Sequence, residues 1–576
     1  MTPLGFTGNS SVGHAPSERS RIVQPQRQDY FALIDHPEQA QGFFLDIVKA
    51  NGAGARMDAM AFSRACRSVS AAVKRAGVGP GDLVLIFLGH GEMLLPAFFG
   101  VQRAGATPSF MPPLSPRQDA DAYVASHLKL IAHTRPRLII AEADVAERLG
   151  DSHGVPIIGP EALSAATPDE GPSPPVDLDA IALLQHSSGT TGLKKGVALS
   201  FRAILAQVES YGRALEIAGD ETIVSWLPVY HDMGLIACTV TPFILRLPIV
   251  LMNPFEWMVQ PLTLLEHAAR ASRPLIWLPN FAFNHLSRHA RRLSKDADLS
   301  GVRAFISCSE PCKPASFDQF LAAFGGHGVR PEQLQTCYAM AENVFAVTQT
   351  RLGRVPARIT IDNDLLQREH RAVQIEPGAG TSFLSCGRAV DGVEIEIRDE
   401  TGPLADGQVG EICIAGASLY SGYFQQPDLT RERLKGGWHH THDLGFRLGE
   451  DLYVCGRKDD LIIVAGRNLY AHDVEAVVSD LAGVKAGRIS AFGVENPATG
   501  TENLIVLAET DPAAPATPDE LAEAIRETLT SQIMVVPADI LTLAPDTLIK
   551  TTSGKMSRDE NKRRYLNGAL APWSGT

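Results

Sequence analysis

None of the eight cysteines (Cys66, Cys238, Cys308, Cys312, Cys337, Cys386, Cys413 and Cys455) stands in a Cys-x-x-Cys pair or with histidines at metal-ligand spacing. That excludes zinc-ribbon and thioredoxin-type patterns, and thiols scattered through apolar stretches fit a reducing compartment. Uninterrupted apolar runs of membrane-spanning length are missing too. The most apolar stretch, 235–252, is broken by Thr239, Thr241, Pro242, Arg246 and Pro248, which predicts a buried helix end followed by a strand. Residues 1–30 lack the basic-then-apolar order of an export signal, so a cytoplasmic protein without a membrane span is expected. Positive charge is in deficit: 52 Lys and Arg against 65 Asp and Glu leave −13, which argues against a broad nucleic-acid surface. Repeats, heptads and low-complexity tracts are also absent.

What the sequence has is length and alternation. At 576 residues the chain exceeds what one hydrophobic core organises, so several domains are expected. Phe62, Ala65, Cys66, Val69, Ala72, Val73 and Ala76 keep helical spacing up to Gly77, and 83–88 then reads as a fully buried strand. The alternation continues through 94–104, 107–110 and 138–140, which predicts βαβ units and a parallel sheet covered on both faces. Residues 167–175, rich in proline, read as a surface connection ahead of a strand over 180–185. Alternating residues at 393–397 and 412–414 predict antiparallel strands. After Gly456 the pattern changes to a smaller unit, with strands near 489–494 and 504–508 and a helix from 518 to about 533. The expected fold class is α/β: a large N-terminal domain of layered α/β sheets with a β subdomain over 1–456, and a small α+β C-terminal domain over 457–576.

The strand over 180–185 runs into Ser187-Ser188-Gly189-Thr190-Thr191-Gly192-Leu193-Lys194-Lys195-Gly196. Such a loop presents bare backbone N–H groups, hydroxyl donors and cations together, the equipment for phosphate oxygens. Its place at a strand end is where open α/β sheets hold ligands. It is not a Walker loop, because Lys194 falls where the second glycine of Gly-x4-Gly-Lys-Ser/Thr should stand. Taken alone, the same composition suits an ordinary surface turn.

Six further segments follow in order: Trp226-Leu227-Pro228-Val229-Tyr230-His231-Asp232-Met233-Gly234-Leu235, Ser309-Glu310-Pro311, Tyr338-Ala339-Met340-Ala341-Glu342, Thr441-His442-Asp443, Gly456-Arg457-Lys458-Asp459-Asp460 and Thr551-Thr552-Ser553-Gly554-Lys555. With the loop, this series resembles the adenylate-forming superfamily of acyl- and aryl-CoA synthetases, nonribosomal adenylation domains and luciferase. The resemblance implies ATP and Mg²⁺, and attack of a carboxylate on the α-phosphate to give an acyl-adenylate and pyrophosphate. Two anions must meet, so such a site needs pre-aimed positive charge. By the same resemblance, Ser187, Ser188, Gly189, Thr190, Thr191 and Lys195 would hold the departing phosphates. Tyr338 would stack on adenine, with Ser309, Glu310 and Pro311 on the other side and Met340 and Ala341 alongside. Asp443, as an acceptor-only carboxylate suited to a diol, would take the ribose with help from Arg457. Glu342 would ligate Mg²⁺, and Lys555 would be the catalytic lysine of a mobile lid that swings about Asp459. Three residues depart from the family pattern: Lys194 replaces a proline, Ala339 a glycine, and His442 the glycine of Thr-Gly-Asp.

Within that superfamily the Trp226–Leu235 motif looks most like the fatty acyl-AMP ligases, which pass the acyl group to an acyl carrier protein rather than to coenzyme A. The likeness puts His231 near the α-phosphate and carboxylate, as a further catalytic residue, and makes Asp232, Met233, Gly234, Asn280 and Phe281 candidate acyl-pocket residues. Glu342 and Gly387 stand 45 residues apart, longer than in most CoA ligases. The excess, around 355–380, resembles the insertion that in acyl-AMP ligases packs against the small domain and hinders thioester formation. The substrate implied is a carboxylic, fatty, acid. An acyl-CoA synthetase or amide-forming ligase shares the same first half-reaction, and a non-catalytic nucleotide-binding module is the reading from a different class.

Overall fold

The computed structural model describes residues 30–49, 54–114, 120–151, 153–186, 195–464, 467–496, 501–511, 513, 517–533, 535–551 and 555–573. Asp58 starts the first long helix, Ala59–Arg75, by accepting from Ala61 N at 2.8 Å. Phe62, Cys66, Val69 and Val73 form its buried stripe, and Lys74 and Arg75 close the last turn, where cations suit the negative helix end. The helix Leu94–Arg103 crosses it at Gly100, where a Cβ would stand 2.5 Å from Val69 Cβ, so the approach requires glycine.

These helices cover a parallel sheet ordered Thr107–Phe110, Leu83–Phe87, Leu138–Ala141, Ile157–Ile158. A nine-stranded sheet has a parallel centre running from Leu334–Ala339 through Ala304–Ser307, Leu275–Leu278, Ile223–Ser225 and Ile249–Met252 to Phe44–Val48, with antiparallel edges. Within 235–252 lie most of a buried π-helix, Met233–Val240, the helix Thr241–Leu245 and the strand Ile249–Met252, as the broken apolar run predicts. The β subdomain is antiparallel: Val393–Asp399 pairs with Gly410–Gly416, which pairs with Trp438–Leu448 and then Asp451–Arg457.

One expectation is corrected. The strand before the phosphate-type loop, Ile181–His186, pairs antiparallel with Gly196–Ser200, so the loop joins the two strands of a hairpin instead of leaving the end of a parallel strand. Residues 167–175 form the expected surface connection, none of them buried, and Asp169 ties it down. Asp169 accepts from Arg103 Nη1 at 3.1 Å and from Lys74 Nζ at 2.8 Å, and the Arg103 side chain is fully buried. The excess over 355–380 is an ordered unit, in which Arg358–Ile361 pairs with Gln374–Ile375 and Thr381–Leu384 beside the helix Asn363–Glu369. Ile359, Ile361 and Leu366 are buried in a cluster with Phe446, Tyr453 and Tyr470, while Leu365 is half-buried.

From Leu461 onward the chain forms a hairpin, Leu461–Val464 with Arg467–Tyr470, and a sheet of Val484–Asn496, Thr501–Thr510 and Asp539–Leu543. Ile462, Val474, Val478, Val506, Ile525 and Leu529 are among the residues of a core built within this part of the chain. The helix Pro518–Gln532 begins with a reciprocal cap between Thr517 and Glu520. The eight cysteines form no disulfide. Among the described residues no helix is long and apolar enough to cross a membrane.

Candidate functional site

The site is assembled from strand ends and the turns that follow them. Tyr338 sits near the end of Leu334–Ala339, where the pairing register shifts between Tyr338 and Ala339, a bulge of the kind that re-aims a side chain. Its hydroxyl donates to Asp443 Oδ2 at 2.6 Å, and Asp443 Oδ1 pairs with Arg457 Nε at 3.3 Å. Neighbouring strands place Asp443 directly opposite Arg457, so this trio follows from sheet register. Burial pushes the Tyr338 phenol well above its usual range, which keeps it a neutral donor. Burial also raises the Asp443 carboxyl, with Arg457 opposing.

His442 takes φ +61, the left-handed region that favours glycine. A histidine thus holds a conformation that glycine adopts freely, and its neighbours secure it: His442 N donates to Glu411 Oε1 at 2.9 Å, and Nδ1 lies 3.3 Å from Asp459 Oδ1. That hydrogen bond holds the Asp459 carboxyl below its usual range.

On the other side, Met340 is half-buried and Ala341 buried, and Glu342 lies in the turn Ala341–Asn343. The next residue, Val344, adopts φ +61, an unusual strain for a β-branched side chain. Glu342 Oε1 accepts from Tyr423 OH at 2.7 Å, and its carbonyl accepts from Tyr420 N at 2.8 Å. Lys195 Nζ lies 5.7 Å from the Tyr423 ring centre. Burial, then the Arg433 guanidinium, lowers the pKa of Lys195, while Glu342 opposes. Ser187, Ser188, Gly189, Thr190, Thr191 and Lys194 lie outside the described residues.

The hairpin and the His231 motif are joined by Gln185, whose Nε2 donates to the Tyr230 carbonyl at 2.8 Å. Half-buried His231 packs against Tyr230, ring centres 4.9 Å apart. Asp232 starts the π-helix by accepting from Met233 N at 2.8 Å. Gly234 is required there, since a Cβ would fall 2.2 Å from the Pro228 carbonyl oxygen. Burial raises the Asp232 carboxyl, opposed by the Met233 N–H and the Lys555 ammonium.

Ser309, also in the left-handed region at φ +66, links this side to the small domain. Its hydroxyl lies 3.9 Å from Met233 Sδ, and its carbonyl accepts from Lys555 Nζ at 2.5 Å across 246 residues of chain. Glu310 Oε2 accepts from Phe281 N at 2.9 Å and Asn280 Oδ1 from Lys313 N at 3.1 Å, while Pro311 is exposed between them. Asn280 and Phe281 thus tie the 309–313 segment to the helix Asn280–His289. Phe281 meets Trp226 and Trp257 edge-on, and those indoles stack 3.7 Å apart.

Sequence reasoning did not find Gln185, Tyr420, Tyr423 or Arg433. Arg433 follows two other charged residues in a helix that looks like a solvated face, yet its side chain is only 14% exposed. Nothing in local spacing separates it from Arg431, which is 73% exposed. Around Glu342 the structure gathers Lys195 and Arg433, with Arg457 close enough to act on Lys195. One carboxylate ringed by cations suits a polyphosphate. Among the described residues no group of three or more His, Cys, Asp or Glu side chains forms a metal cage.

Residues 38–424 match the model of the AMP-binding enzyme family. The long-chain-fatty-acid–AMP ligase FadD32 of Mycolicibacterium smegmatis is 29% identical over 98% of this chain and 95% of its own. The putative fatty-acid–CoA ligase FadD21 of Mycobacterium tuberculosis is 30% identical over 84% of this chain and 88% of its own. A structure from work on fatty acyl-adenylate ligases of E. coli and L. pneumophila superposes with a TM-score of 0.84 at 25% identity, covering 94% of this chain and 98% of that one. A match across most of the chain, on a fold that brings Tyr338, Asp443, Arg457, Glu342 and Lys195 into one region, means that this chain belongs to the AMP-binding enzyme family.

Proposed function

We propose that the protein is an ATP-dependent acyl-AMP ligase that activates a fatty acid and passes the acyl group to an acyl carrier protein. A carboxylate oxygen attacks the α-phosphorus. The bond from that phosphorus to the bridging oxygen breaks, and pyrophosphate leaves with the electron pair. The observation that carries this reading is the Lys555 contact with Ser309, which brings an ammonium from the small domain to the segment beside Met233. Tyr338, Met340 and Ala341 hold the adenine, covered by Ser309, Glu310 and Pro311, while Asp443 and Arg457 hold the ribose. Lys195, with the Ser187–Thr191 hydroxyls and Arg433, takes the β- and γ-phosphates. His231 and Lys555 meet the charge developing at the α-phosphate as donors aimed before the reaction. Mg²⁺, held by Glu342, would neutralise phosphate charge. Residues 1–456 form the body and 457–576 a lid turning about Asp459.

Carboxylate-dependent exchange of pyrophosphate into ATP, run across a panel of acids, tests the half-reaction. Parallel reactions with CoA, holo carrier protein and amines identify the acceptor. Exchange that does not depend on added acid would remove the ligase assignment. Glu342→Gln keeps the shape but loses the charge, so the Mg²⁺ concentration for half-maximal exchange should rise about tenfold, as for a lost charged contact of ~1.4 kcal/mol. A Mg²⁺ titration superimposing on that of the parent would count against Glu342 as the ligand.

The ordered 355–380 unit favours the carrier-directed reading over a CoA synthetase. Its helix touches the small domain: Arg467 Nη2 donates to Asp364 at 3.1 Å, Asn468 Nδ2 lies 3.3 Å from His370 Nε2, and Tyr470 shares its apolar cluster. These contacts hold the lid away from a thioester-forming pose. Asp364→Ala with His370→Ala should leave acyl-AMP formation unchanged and raise acyl-CoA yield three- to tenfold, since exposed polar contacts contribute up to about 1 kcal/mol each. An unchanged thioester yield would show that these contacts do not restrain the lid.

A further inference from the structure

Large hydrophobic side chains are seldom exposed in this protein, yet three share one short helix. In Pro254–Val259, Trp257 is buried while Phe255 is 40%, Met258 46% and Val259 75% exposed. This helix packs on Asn280–His289: His285 Nε2 lies 3.1 Å from the Met258 carbonyl oxygen, and the His285 ring is 5.4 Å from Trp257. One turn beyond His285 the chain becomes basic, through the end of the helix, the 3-10 turn Ala290–Arg292 and the residues after it. Arg288, Arg291, Arg292 and Lys295 are all exposed, and none takes part in an ion pair among the described residues. Of the carboxylates that follow in sequence, Asp298 is already engaged by Ser300 N at 2.8 Å, leaving Asp296 at the edge. Four cations within eight residues stand out in a chain whose net charge is −13.

Exposed apolar side chains beside a cluster of cations make up the two signals that together give stable attachment to an anionic bilayer, where either alone is marginal. The negative charge of the rest of the molecule is repelled by such a surface, which would turn this face toward it. The first turn of the same helix carries Phe281, against the Trp226 and Trp257 stack on the proposed acyl side. We propose that Phe255, Met258 and Val259, with Arg288, Arg291, Arg292 and Lys295, seat the protein on an anionic lipid surface, the phase in which a long-chain acid dissolves. Lipid binding stands on the surface itself. Only its role in substrate supply rests on the acyl-AMP ligase reading.

The test is sedimentation of the full chain with vesicles of phosphatidylcholine alone or mixed equally with phosphatidylglycerol. The parent should pellet with the mixed vesicles and stay in solution with the neutral ones, and added salt should release it. Arg288→Glu, Arg291→Glu and Arg292→Glu together should weaken binding at least tenfold. Met258→Ser with Val259→Ser should weaken it several-fold without changing the preference for anionic lipid. Both variants should keep parental pyrophosphate exchange with octanoate, a soluble acid, which shows that they fold. Equal binding to both vesicle types, no binding by the parent, or parental binding by the triple variant would each overturn the proposal. So would loss of transfer to a holo carrier protein in the triple variant with vesicle binding intact, which would assign the face to an acidic protein. Vesicle binding by a parent that shows no exchange would remove the ligase reading and leave this one standing.

Discussion

Lys555→Ala should slow acyl-adenylate formation by roughly 10²–10³-fold, the usual cost of removing one pre-aimed donor from a developing oxyanion. The side chain is exposed and reaches the Ser309 carbonyl from the far end of the chain, so it contributes only when the small domain is in place. Its base is firmly set. Arg558, three residues on, donates to Glu475 at 2.7 and 2.6 Å and to Asp460 at 2.7 Å, which ties the lysine segment to the turn that carries Asp459. The nucleotide contacts proposed for Tyr338, Asp443 and Arg457 do not involve it, so the KM for ATP should change little while kcat falls. Steady-state pyrophosphate exchange measures both. A variant that exchanges at the parental rate would remove Lys555 from the reaction.

Asp169→Asn should destabilise the protein by about 2–3 kcal/mol, since deleting one partner leaves a buried cation without a counter-charge. Arg103 has no exposed side-chain surface, and Asp169 supplies its only carboxylate among the described residues. The figure lies at the low end for such pairs because Asp169 is 29% exposed and Arg103 keeps Ser70 Oγ at 3.3 Å and the Asp169 and Gly171 carbonyls. Lys74, then the Gly171 N–H and Arg103, hold the Asp169 carboxyl down to about 2. Its folded value lies below the unfolded one of about 3.9, so the stabilisation is complete above about 3.9 and disappears as the pH falls toward 2. Asp179→Asn is the control. Asp179 meets Arg202 at 2.8 and 3.0 Å, but the side chains are 76% and 48% exposed, and its loss should leave the urea midpoint close to that of the parent. Urea midpoints of the two variants should therefore separate, and equal midpoints would show that burial of Arg103 does not set the cost.

The sequence alone determined the elements whose signal is local. The stripe at Phe62, Cys66, Val69 and Val73 has a period fixed by helix geometry. The unbroken apolar run at 83–87 has the composition of a strand buried on both faces. The ordered series of motifs also singled out Tyr338, Asp443, Arg457 and Lys555 as candidates, because each lies in a short stretch of fixed residue types. Tertiary structure decided whatever depends on partners distant in the chain. His442 could keep a glycine's conformation because Glu411 and Asp459 hold it, and neither is adjacent to it. Residues 167–175 look solvated by composition, but the cation that ties them down lies 66 residues earlier. Arg433 and Arg431 have the same local sequence character and differ only in which way their helix faces. Register between strands, the meeting of two charges across a core and the side of a helix that faces inward are set by long-range packing, and no residue spacing records them.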